Sequence, residues 1–62
     1  MGRTNFEVAD TLNNVGAARL TQGHTAEGRR LLTRCLEIKR KLLGPHHPEI
    51  LLTESTLRFA DG

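Results

Sequence analysis

Four side chains in this sequence could hold a metal ion or supply a nucleophile: Cys35, His24, His46 and His47. A thiolate with imidazoles suits zinc, whose ligands must lie about 2 Å from the ion. The spacing opposes that chemistry. With Cys35 in the middle of a helix, His24 stands eleven residues before it, about 16 Å along the axis at ~1.5 Å per residue. His46 and His47 lie equally far beyond it. The three histidines read as solvated turn residues, and neither a metal nor another cofactor is expected. Catalysis finds no footing either. The chain has no Gly-rich phosphate loop, no nucleophile elbow and no paired His-Glu metal motif. Cys35 falls on an apolar stripe and reads as a small core hydrophobe. The expectation is a protein that is not an enzyme.

A second chemistry resides in charge. Arg29, Arg30, Arg34, Lys39, Arg40 and Lys41 face a single acid, Glu37, between positions 29 and 44, a local charge of +5; the rest sums to −3, leaving +2. Such a patch attracts phosphates. Yet no aromatic side chain is interleaved to stack on bases, and Glu37 can pair with Lys41 one turn on. A solvated helix face is the reading. Weak binding of nucleic acid or an anionic surface through this helix is the alternative.

The elements that must position these residues are helical. The first stretch is expected from about Asn5 to Thr21, with Val8, Leu12, Val15 and Arg19 recurring every three or four positions. Thr4 and Glu7 have the spacing of a capping box, with Asn5 a competing cap. Gln22-Gly23-His24 stops the helix, glycine tolerating the left-handed turn. The second helix is expected from about Thr25, as its cap, to Leu43. Its stripe is the clearest in the chain: Gly28, Leu31, Leu32, Cys35, Leu36, Leu42 and Leu43, with Ile38 beside it. Leu32, Cys35 and Leu36 are expected to pack on Leu12, Val15 and Gly16. Gly44-Pro45 ends the second helix. A third begins at His47-Pro48-Glu49, proline suiting the first helical position. Ile50, Thr53, Leu57 and Ala60 mark one of its faces.

Sixty-two residues leave room for one small domain. A chain this short buries only about 60% of its unfolded surface, so a lone core is marginal. One cysteine makes no internal disulfide and suits a reducing compartment. No apolar run approaches the ~20 residues of a membrane span, and Met1-Gly2-Arg3-Thr4-Asn5 lacks the apolar stretch of a secretory signal. A cytoplasmic protein without a membrane partner is expected.

Self-comparison at an offset of 42 maps Glu7 to Glu49, Val8 to Ile50, Thr11 to Thr53, Val15 to Leu57 and Ala18 to Ala60. A fixed period of this size suggests stacked helix pairs. Leu12-Asn13-Asn14-Val15-Gly16-Ala17 followed by Gln22-Gly23 resembles the first helix and turn of a tetratricopeptide repeat. Arg34-Cys35-Leu36-Glu37-Ile38-Lys39 followed by Leu43-Gly44-Pro45-His46-His47-Pro48-Glu49 resembles the second helix and linker of the kinesin-light-chain-like subfamily. The resemblance spans positions 5–60 and implies an all-α fold: an antiparallel helix-turn-helix repeat (5–46) plus a third helix (47–60), the first of a second repeat or a cap.

The chain departs from the family pattern at several positions. Arg19 stands where a large apolar residue is usual, Thr25 where tyrosine is, and Glu54 where the repeat has Leu12. Gly28 stands where alanine is usual, at the close contact of the two helices. Glycine costs about 1 kcal/mol of helix propensity there, so Gly28→Ala is expected to stabilise if the residue only fills the alanine position, and to destabilise if the helices approach too closely for a methyl group.

The resemblance also implies a function. First helices of such repeats line a concave groove that holds a peptide or partner helix. It places Asn13, Asn14, Ala17, Thr21, Ser55, Thr56 and Phe59 in that groove, with the Asn14 amide on the ligand backbone. The expected partner is a protein or peptide, with self-association through open apolar ends (Phe6, Val8, Leu51, Leu52, Phe59). A repeat fragment with no independent role is a further alternative.

Overall fold

A capping box starts the first helix. Thr4 Oγ1 accepts the Glu7 amide at 3.1 Å, and Glu7 Oε2 accepts the Thr4 amide at 3.3 Å. Asn5, the competing cap, is instead the first residue of α1, Asn5–Thr21. The computed structural model describes residues 4–61, without the side chain of Asp61. Met1-Gly2-Arg3, which entered the secretion reading, lies outside the described residues. α1 closes with paired reverse bonds: Gly23 N–H donates to Leu20 O at 3.1 Å and His24 N–H to Arg19 O at 2.8 Å. Gly23 holds φ +85°, the left-handed geometry this closure needs.

α2 runs from Thr25 to Leu43. Its N-cap is His24, whose side chain makes no capping hydrogen bond; Thr25 lies within the helix and does not cap it. Gly44 ends α2, its N–H donating to Arg40 O at 3.0 Å. α3 spans Pro48–Asp61. His47 is more than a solvated turn residue: it is half-buried, its Nδ1 accepts the Glu49 amide at 3.2 Å, and its carbonyl accepts Ile50 N–H at 2.9 Å. An imidazole acceptor thus satisfies an amide that the first turn of a helix leaves open.

α2 stands behind, with α1 and α3 both packed on it and only lightly on each other. The Cα trace measures 31 × 29 × 13 Å, so the assembly is barely more than one helix layer thick. Leu32, Cys35 and Ile50 are fully buried, joined by Ala9 and Leu36. α1 and α2 cross at two glycines. A methyl on Gly28 would lie 2.8 Å from the Gly16 carbonyl oxygen and 2.8 Å from Leu20 Cγ and Cδ2. One on Gly16 would lie 2.9 Å from Leu32 Cγ and 3.2 Å from the Gly28 carbonyl oxygen. Alanine at 28 is therefore expected to destabilise: the backbone of α1 occupies the space.

The same closeness corrects the expected α1 stripe. Ala9 and Gly16 are its buried residues, with Leu12, Asn13 and Leu20 half-buried, whereas Val15 is 39% exposed. Where the helices come closest, glycine meets glycine with Leu20 and Leu32 packed against them, and Val15 is turned aside. On α3 the expected face holds: Ile50 and Thr53 are buried, Leu57 and Ala60 half-buried. Arg19, the anomalous cation, bridges the α1–α2 turn. Its Nε donates to Glu27 Oε1 at 3.1 Å and its Nη1 to Gln22 Oε1 at 3.0 Å.

Candidate functional site

The space between α1 and α3 holds two adjoining concavities that share Thr56. The first, of about 230 Å³, is polar and lined by Asp10, Asn13, Lys39, Glu49, Leu52, Thr53 and Thr56. The second, of about 210 Å³, is mostly apolar and lined by Ala17, Leu20, Thr21, Thr56 and Phe59. All lie on α1 and α3 except Lys39, which rises from α2 between them.

Lys39 is the unexpected member. Its side chain is only 6% exposed, and its Nζ lies 3.5 Å from Glu49 Oε1 and 4.0 Å from Asp10 Oδ1. An ammonium loses hydration when buried and persists only beside compensating charge. One acid from each flanking helix supplies it. Next to this triad, Arg40 Nη2 donates to Glu54 Oε2 at 2.6 Å. That pair gives Glu54, the residue that departs from leucine, a role in holding α3 on α2. Thr53 Oγ1 donates to Glu49 O at 3.1 Å. Burial pushes the Cys35 thiol above its ordinary range, with Lys39 opposing in part and Asp10 and Glu49 adding to the rise. A buried thiol held protonated is a poor nucleophile.

Of the residues expected in the groove, Asn13 and Thr56 line the polar concavity, and Ala17, Thr21, Thr56 and Phe59 the apolar one. Asn14 and Ser55 are exposed and line neither. Asp10, Leu20, Lys39, Glu49, Leu52 and Thr53 were not foreseen there. A signal existed for Lys39. It follows Leu32, Cys35 and Leu36 at helical spacing, so it sits on the buried stripe, but its charge grouped it with the basic run. Phe59, at 83% exposure, is the most exposed large apolar side chain described.

The outer face of α2 carries a wider hollow lined by Arg30, Leu31, Thr33, Arg34, Glu37, Ile38 and Lys41. One helix supplies every lining residue, so this hollow has no opposing wall. Among the described residues no group of three or more His, Cys, Asp or Glu side chains could hold a metal ion. None of their helices is long and apolar enough to cross a membrane.

No curated protein and no solved structure matches the chain. A family model does, that of the tetratricopeptide repeat, over residues 8–49, a stretch as long as the period seen in self-comparison. With two helices crossing at small residues and a third in the repeat position of the first, the chain belongs to the tetratricopeptide repeat family, whose members generally serve in protein–protein interaction.

Proposed function

We propose that this chain is a non-catalytic module that holds a peptide or helix of a protein partner in the groove between α1 and α3. The observation that carries the reading is the pair of adjoining concavities there, one polar and one apolar, walled by both helices and flanked by the exposed Phe59 ring. Polar groups that orient a ligand beside apolar surface that drives its burial are what binding clefts combine. The 42-residue period and the Leu43-Gly44-Pro45 linker support placement in the kinesin-light-chain-like subfamily. The unpaired, buried Cys35 supports a reducing compartment such as the cytoplasm.

The test is selection of displayed peptides on the full chain, followed by fluorescence anisotropy with Asn13→Ala and Phe59→Ala. Groove binding requires both substitutions to weaken the selected peptides, with modest dependence on salt. The competing reading requires a DNA duplex to bind tightly, to be released steeply by salt, and to be lost on Arg30→Ala with Arg34→Ala. Self-association belongs to the same proposal, because Phe59, Leu52 and Leu51 are 83%, 68% and 53% exposed on α3. Sedimentation velocity should show mass rising with concentration in the micromolar range; a concentration-independent monomer refutes it.

A further inference from the structure

We infer that the partner segment in this groove presents a basic side chain to Asp10 and an apolar side chain to Phe59, four residues apart in an extended strand. The inference rests on the groove reading proposed above and adds the chemistry of the ligand.

The polar concavity contains two carboxylates and one ammonium, from Asp10, Glu49 and Lys39, so its local charge is −1. A ligand carboxylate would meet two like charges for one opposite charge. A guanidinium or ammonium would bring the site to neutrality. The rim groups are placed to receive it. Lys39 is sunk on the floor, whereas the Asp10 side chain is 60% exposed. The Asp10 carboxylate makes no hydrogen bond among the described residues, and its ion pair with Lys39 sits at 4.0 Å, beyond hydrogen-bond reach. The Asn13 carboxamide, one turn along the same face of α1, makes no side-chain hydrogen bond within the described residues and offers a further acceptor. A planar guanidinium donates along two edges and so suits several oxygens on one rim.

The apolar end sets the spacing. On α1 Asp10 precedes Ala17 by seven residues and Thr21 by eleven, roughly 10–16 Å at 1.5 Å per residue. An extended peptide advances ~3.3 Å per residue and alternates its faces, so positions four apart point the same way and span about 13 Å. An apolar side chain so placed covers Phe59 and Leu20, which removes ring and aliphatic surface from water.

An array of capped nonapeptides tests this with labelled full chain. One position carries arginine, lysine, glutamine or glutamate, and the position four residues on carries leucine, phenylalanine or serine. Basic peptides with an apolar second residue should bind about two- to fivefold above their glutamine counterparts, the range of a half-exposed ion pair. That ratio should fall toward one in high salt. Asp10→Asn should abolish the basic preference while leaving the preference for an apolar second residue. Glu49, the nearer acid at 3.5 Å, still compensates Lys39, so the variant should keep its helical circular dichroism. A preference for glutamate, or equal binding of all four side chains with Phe59-dependent affinity retained, overturns the inference and leaves the groove in place. Binding that is indifferent to both Phe59→Ala and Asn13→Ala removes the groove reading itself.

Discussion

Gly28→Ala sets two known effects against each other at one atom. Alanine in the interior of a helix is favoured over glycine by about 1 kcal/mol. Against that, the added methyl carbon would stand 2.8 Å from the Gly16 carbonyl oxygen and 2.8 Å from two carbons of Leu20. Close C···O contacts settle near 3.3 Å, so α1 and α2 must part by about 0.5 Å. Leu20 can turn aside, but the carbonyl oxygen is fixed by the helix it belongs to. Parting the helices loosens Leu32, Cys35 and the seam beside them, and overpacking of this kind costs about 1–3 kcal/mol. The expected net is a loss of up to about 2 kcal/mol, each kcal/mol lowering the melting temperature by some 4–8 °C in a domain this small. Thermal and urea unfolding followed by far-ultraviolet circular dichroism measure it. Gly16→Ala, which meets Leu32 Cγ at 2.9 Å, should also destabilise. The double variant should cost less than the sum, because helices already parted admit the second methyl. A Gly28→Ala protein that melts above wild type refutes the close crossing.

Leu32→Ala empties a fully buried site and should cost about 2–5 kcal/mol; a melt unchanged by it would contradict the core described. Lys39→Met keeps the buried stem and removes the charge from between Asp10 and Glu49. It should leave urea stability within about 1 kcal/mol of wild type, since the two carboxylates left behind are 60% and 39% exposed and stay hydrated. Lys39→Glu places a third carboxylate there and should cost about 3 kcal/mol or more; tolerance of both substitutions would show that Lys39 is not enclosed. The Cys35 thiol is raised by burial. The folded state therefore keeps its proton where the unfolded chain has lost it, and Cys35's contribution is full below the ordinary thiol value and declines as pH rises through the folded one. Urea midpoints should drop above about pH 8.5 by more than those of Cys35→Ala; identical slopes in the two proteins would refute a buried thiol.

Helix positions were legible because the punctuation is local. Thr4 with Glu7, Gly23, Gly44-Pro45 and Pro48 each act within a turn of their own position, so single residues mark the ends. Five of the seven residues that the resemblance puts in the groove line the concavities between α1 and α3, because it takes the front faces of the two helices as a unit. What escaped was Lys39, and with it the polar half of the site. Its burial depends on acids from two other helices, and nothing in the local sequence announces that Asp10 and Glu49 converge on it. The periodicity of α2 did place position 39 on the inward stripe. The choice between stripe and charge turns on whether counter-charges arrive from elsewhere in the fold, which is a tertiary fact.

The misread face of α1 has a different cause. α1 carries two stripes, and hydrophobic strength favours the wrong one for contact with α2. Val8, Leu12 and Val15 are large and branched; Ala9 and Gly16, which are buried, are small. Small residues score weakly as apolar yet permit the closest helix approach, so intimacy of contact and strength of pattern run in opposite directions here. The 42-residue repeat supplies the meaning of the stronger stripe. Val8, Thr11, Val15 and Ala18 correspond to Ile50, Thr53, Leu57 and Ala60, the face by which α3 lies on α2. On α3 that face is buried or half-buried; on α1 Val8 is half-buried and the other three are exposed. The pattern on α1 thus has the composition of a covered face, repeated from a helix on which it is covered. Periodicity records that a face is suited to burial, and only the geometry of the neighbours says which helix buries it.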